Sequence, residues 1–246
     1  MEDVQVAANQ GLSQVERVVD TFVAPSKTFL DILRSTSWWL PFLLIFGITA
    51  ASAFAMDQKI GFERIAEQAV QQNPKAADQM AQLSAEQRTT QMNVATVVTK
   101  DISYAGGVFF LMIAAIVALV IWASLNFGLG ATTTYGQNFA VFMYAYLPHF
   151  FLGLLNIIFV YTGVNTENFD INNPVGTNIG YYMADSAHWV KTALSFLDVF
   201  GLWSLALMVM GSAIIARKSK GTVAIVVVGW WLLALLVMTG MTAARG

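Results

Sequence analysis

"ISYAGGVFFLMIAAIVALVIWASLN", from Ile102 to Asn126, holds no charged side chain over its whole length. Its apolar residues do not alternate with polar ones, which excludes a half-buried strand. As a helix rising 1.5 Å per residue it is long enough to cross the ~30 Å hydrocarbon core of a bilayer. Four further stretches read the same way: Trp38–Met56, Phe139–Tyr161, Thr192–Ala216 and Thr222–Thr242. The composition agrees, with 57% hydrophobic and 11% charged residues, where soluble domains carry roughly 25% charge. Mean hydropathy is +0.60. The expectation is an all-α, polytopic membrane helical bundle of five transmembrane helices, preceded by an amphipathic N-terminal helical segment.

The net charge of −2 and the lack of a basic tract argue against nucleic acid as a partner. There is no cysteine, so disulfides, thiolate metal sites and thiol nucleophiles are all excluded. The opening residues "MEDVQVAANQGLSQVE" are acidic and polar, whereas a secretory signal has a basic start followed by an apolar run. The first span is expected to act as an uncleaved insertion signal.

Residues 1–37 form the expected tail. Ser13 and Glu16 have capping-box spacing, so a helix is predicted to start there. Val15, Val18, Val19 and Phe22 fall on one face, Pro25 breaks this helix or starts the next, and Phe29, Leu30, Ile32 and Leu33 form a second apolar face. Two placements are open: along the membrane surface, or packed on the helix bundle. The first loop, 57–101, is expected to be helical, with a stop at Asn73-Pro74 and a new capping box at Ser84–Gln87. In the second loop, "GLGATTTYGQN", the glycines neither follow a strand nor precede a Gly-Lys-Ser/Thr, so no nucleotide site is expected. Asn173-Pro174 marks a turn in the third loop, and "RKSKG" a tight hairpin between the last two spans.

Five crossings place the termini on opposite sides. With the N-terminus cytoplasmic, Arg17, Lys27, Arg34, Arg217, Lys218 and Lys220 lie inside, against Lys59, Arg64, Lys75, Arg88, Lys100, Lys191 and Arg245 outside. Short loops beside spans carry the most weight, and "RKSK" is the densest basic cluster, so the cytoplasmic N-terminus is the expectation.

Small residues at spacings of four, Gly47/Ala51/Ala55 and Ala114/Ala118, together with Gly201, Ser204 and Gly211, suit close helix packing within the chain or in a homo-oligomer. Ionisable groups inside a span are costly and raise a functional question by default. His149 falls ~15 Å into the third span and Asp198 ~9 Å into the fourth, entered from the other side. Gly153 and Asn156 share the His149 face. His149, Asn156 and Asp198 form a candidate intramembrane polar cluster, read either as a proton- or substrate-handling site or as a lock between two helices. Asp198 caps the fourth helix if that helix begins later than Thr192. Pro148 is expected to bend the third span and to free the Tyr144 carbonyl, with His149 or a neighbouring helix as its partner.

No catalytic residues are assigned. Neither His149 nor His188 stands in a His-Glu-x-x-His pattern, Gly-x-Ser-x-Gly is absent, and Asp57 and Asp198 lack the context of an intramembrane aspartyl pair. No cofactor and no metal is expected.

Four stretches carry a resemblance. "ERVVDTFVAPSKTFLDILRSTSWWLPF" (16–42) resembles the opening segment of prokaryotic Yip-domain proteins, and so does "NFAVFMYAYLPHFFLGLLN" (138–156), with its Tyr-Leu-Pro element after a Gly-rich loop. "NPVGTNIG" (173–180) and "LDVFGLWSLALMVMGSAIIARKSKG" (197–221) look like the last long loop and fourth span of the same Yip (Ypt/Rab-interacting-protein type) family. The resemblance implies five spans, a cytoplasmic N-terminus and, if the source is prokaryotic, the inner membrane. It also implies a trafficking-like or scaffold role, with membrane lipids and protein partners or a second copy of the chain as its contacts. Eukaryotic members bind Rab-type GTPases, but the short tail lacks their Asp-Leu-Tyr-Gly-Pro-type motif, so GTPase binding does not carry over. A small-solute, ion or lipid transporter is the alternative.

Overall fold

The computed structural model describes residues 11–163, 169–183 and 186–245. The first ten residues of the tail and parts of the third loop lie outside these. Among the described residues the chain is helical, without a strand.

The tail forms two helices. In α1 (Gln14–Val23) the capping box is complete: Glu16 N donates to Ser13 Oγ at 3.2 Å and Ser13 N to Glu16 Oε2 at 2.7 Å. Pro25 occupies the first turn of α2 (Pro25–Ile32), where its missing N–H costs nothing. The first span is α3 (Trp39–Lys59). The first loop holds α4 (Phe62–Gln71), α5 (Pro74–Ala81), capped by Asn73, and α6 (Ala85–Tyr104), which opens on the Ser84–Gln87 box. The second span is α7 (Gly106–Ala123), ending in a π-turn at Ser124–Gly128. The third comprises α8 (Tyr135–Ala145) and α9 (His149–Thr162). A short α10 (His188–Ser195) precedes the fourth span, α11 (Val199–Ala216), and the fifth is α12 (Lys220–Arg245). Among the described residues, five helical segments are thus long and apolar enough to cross a membrane.

Several span ends differ from the sequence expectation; the third span, for one, opens at Tyr135 rather than Phe139. The second span begins at Gly106, because α6 ends in a turn at Ala105. The fourth begins at Val199 rather than Thr192, because residues 196–198 separate α10 from α11.

The chain packs as two compact units. One contains the tail and the start of the first span up to Ile45, residues 110–148 and residues 203–231. Its core joins Phe29 and Ile32 of the tail to Val141, Tyr144, Leu207 and Val223. Gly211 permits this: a Cβ there would lie 2.7 Å from Val141 Cγ1 and 2.8 Å from Phe29 Cδ1, closer than any side chain tolerates. Ala114 and Ala118 are buried against Phe139 and Met143, which puts small residues at a close helix contact. In the second loop, Asn126 holds Thr133 three times over. Its Nδ2 donates to Thr133 O (2.8 Å), and its Oδ1 accepts from Thr133 N (2.9 Å) and Oγ1 (3.0 Å).

The other unit contains residues 46–109, 149–202 and 232–246. Ala53, Ala55 and Met56 pack with Phe62, Ile65 and Val160 in its core. Asp57, at the end of the first span, accepts from Lys100 at 3.0 Å and from the Tyr104 hydroxyl at 3.1 Å, which fastens α6 back onto α3.

Candidate functional site

Pro148 does more than bend a helix. It falls in a turn that separates α8 from α9. The Tyr144 carbonyl, which would have accepted from residue 148, instead accepts from Leu147 N at 3.2 Å. The expected partner, His149 or another helix, is therefore not needed; a local turn satisfies the carbonyl. His149 follows as the first residue of α9, half-buried.

Asp198 sits just before α11 and caps it. Its Oδ1 accepts from Phe200 N at 2.9 Å and Gly201 N at 3.0 Å, satisfying two of the free donors at a helix start. Its Oδ2 accepts from Thr177 Oγ1, and Val199 N donates to Thr177 O at 3.1 Å. The third loop is thus clamped to the head of the fourth span. A second clamp is the reciprocal amide pair of Asn173 and Asn178. Asn178 Nδ2 donates to Asn173 Oδ1 at 2.7 Å, and Asn173 Nδ2 to Asn178 Oδ1 at 3.2 Å. Asn173 Nδ2 also reaches Ser195 Oγ on α10 at 3.1 Å.

Between these elements lies a cleft of about 160 Å³, lined by His149 and Leu152 of α9, by Asn173 and Thr177 of the loop, and by Ser195 and Asp198. It has room for a few waters or a small polar solute. The structure therefore brings two of the three candidate residues, His149 and Asp198, to one cavity.

Asn156 is not part of it. One turn beyond Gly153, it is buried against the first span, where its Nδ2 donates to Ser52 Oγ at 3.3 Å. Ser52 in turn donates to Gly153 O at 3.3 Å, and a Cβ on Gly153 would lie 2.6 Å from Ile48 Cγ1. The expected cluster of His149, Asn156 and Asp198 is corrected to two places: a loop-side cleft and a helix–helix contact. Helical spacing put His149 and Asn156 on one face but could not say that different neighbours cover its two ends. Among the described residues no group of three potential ligands could hold a metal ion.

These features sit in a chain whose order of elements, from the tail through the Tyr-Leu-Pro break to the Arg-Lys-Ser-Lys turn, matches one family. The Yip1 domain matches residues 19–241. The chain belongs to the Yip1 domain family. Comparison with curated proteins and with solved structures returned no significant match. The break at Pro148, the capped fourth span and α2 of the docked tail all fall within the Yip1 domain, whose match opens inside α1.

One buried polar group of this Yip1 domain protein was not singled out in the sequence. Arg17 is fully buried, and its guanidinium donates to Asp31 Oδ2 (2.6 Å from Nε), to Ser35 O (2.9 Å) and to Ser37 O (3.3 Å). Arg34 also donates to Asp31, at 2.8 Å. Burial pushes the Asp31 carboxyl up, but hydrogen bonds and charge from Arg34 and Arg17 outweigh it and hold the group below its ordinary value of 3.8. The signal available was "ERVVDTF", an arginine on the same helix as an apolar stripe, with Asp31 one helix further on.

Proposed function

We propose that this Yip1 domain membrane protein is non-enzymatic and organises membrane or recruits partners, with its first loop as the recruiting surface. The observation that carries the reading is α6. It exposes Val94, Val97, Val98 and Ile102 at helical spacing, while Lys100 and Tyr104 of the same helix are tied to Asp57. A helix tied back by Lys100 and Tyr104, whose exposed surface sets four apolar side chains around Asp101, suits a protein partner or a second copy of the chain. By this reading the N-terminus is cytoplasmic, in the inner membrane if the source is prokaryotic, and the α6 surface faces the opposite side. The test is cross-linking in native membranes followed by purification of the full chain. Discrete cross-linked species should appear with the native chain and be lost with Val94→Asn/Val97→Asn; a clean monomer with both chains overturns the reading.

The cleft beside His149 favours a second reading, passage or binding of a small polar solute. Asn is as good a helix cap as Asp, so Asp198→Asn removes the charge and keeps the fold. Flux in proteoliposomes that depends on pH and disappears in Asp198→Asn would support transport. Unchanged flux in the variant would remove this cleft from any path.

A further inference from the structure

Helix α1 buries polar side chains beside Val18 and Phe22 and turns a row of valines outward. Arg17 and Thr21 are fully buried, whereas Val15, Val19 and Val23 are 65%, 52% and 73% exposed. In water this arrangement would leave a contiguous apolar stripe solvated. On α2, Lys27 and Leu30 fall three apart on one face and are exposed, as are Leu33 and Arg34 in the turn that follows. Apolar residues with cations beside them are the mark of a helix lying in the headgroup region.

Depth supports the same conclusion. Phe29 packs against Gly211 and Val141. At 1.5 Å per residue, Gly211 is about 8 Å inside the end of α11 and Val141 about 9 Å inside the start of α8. Span counting places both ends on the side of the tail. A helix pair docked that far below the helix ends has its outward face at the headgroup–acyl boundary, the 5–10 Å depth characteristic of interfacial helices. The tail is also held from lifting: Arg17 bonds the carbonyls of Ser35 and Ser37, directly before the first span.

We propose that residues 13–34 form an interfacial helix pair of one leaflet. Its inner face is docked on the spans, its outer face (Val15, Val19, Val23, Leu30 and Leu33) is seated in lipid, and Lys27 lies against anionic headgroup phosphates. The inference goes beyond partner recruitment and does not depend on it, since it rests on the tail and the spans that receive it and not on α6. The two placements open in the sequence are thereby combined, with one face of the tail assigned to each.

The chain has no cysteine, so single labels are unambiguous. Val19→Cys, Val23→Cys and Leu30→Cys, each carrying a nitroxide, would be placed in full-length protein in phosphatidylcholine–phosphatidylglycerol vesicles. Gln82→Cys, in an exposed turn of the first loop, is the control. Collision with oxygen relative to a water-soluble nickel chelate should be several-fold higher at the three tail sites than at the control. The ratio at Leu30 should fall when Lys27→Gln is added or phosphatidylglycerol is omitted. Tail ratios equal to the control mean a solvated face and overturn the proposal. Low collision with both reagents means a protein covers the face, and overturns it equally. An unchanged Leu30 ratio in both of the last comparisons overturns the role of Lys27.

Discussion

At the scale of single residues, the strongest determinant is the buried Arg17. Breaking a buried ion pair leaves its partners unpaired and costs several kcal/mol. Arg17→Ala should therefore destabilise the protein by about 3 kcal/mol, read as a lowered thermal midpoint in detergent, and should expose the tail to protease. Acid has a related effect. Because the folded Asp31 carboxyl is held below 3.8, its contribution is fully present above that value and is lost as the pH falls through the lower folded value. Tail proteolysis should be flat between pH 8 and 5 and rise only below about pH 4; a rise near pH 6 would contradict the assignment. Asp198 behaves differently, since its work is capping. Asp198→Ala should cost about 1 kcal/mol and Asp198→Asn almost none, measured by the same thermal transition.

At the scale of elements, the five apolar stretches were legible because lipid leaves a spanning segment few options. Their ends were less so. Thr192–Ala216 reads as one apolar run, yet it breaks at Asp198, where the carboxylate finds two helix-start donors and Thr177. Loop contacts decided that boundary, and hydropathy does not carry them. The Tyr144 carbonyl was expected to pair with His149 or a neighbouring helix, but its partner is Leu147 N, in a turn only three residues on. The tail's docking hinged on Gly211, a residue that reads as one of many small residues in a span. Gly211→Ala forces Phe29 or Val141 to move and should cost about 1–3 kcal/mol, with the tail becoming protease-sensitive while the spans stay protected. A variant as resistant as the native chain would show that the tail does not depend on this contact.

At the scale of the whole molecule, membership of the Yip1 domain family and five candidate spans agree on a multi-pass membrane protein. Its proposed orientation is open to a direct check. Ser219→Cys, in the tight turn between the last two spans, should react with an impermeant maleimide only from the cytoplasmic face, and Gln82→Cys only from the other. The reverse pattern would invert the whole assignment, tail included.

The contact between Phe29 and Gly211 has a consequence for biosynthesis. The tail leaves the ribosome before the spans, and the residues that receive it belong to the third and fourth spans and are made far later. Arg17 and Asp31, both in the tail, can pair at once; Phe29 and Ile32 must wait. A segment made ahead of the spans is thus among the last to settle, and its docking reports that the later spans have been inserted and assembled. A chain stalled before the fourth span would carry an undocked tail, apolar on both faces, which quality-control proteases at the membrane surface could recognise as unfinished.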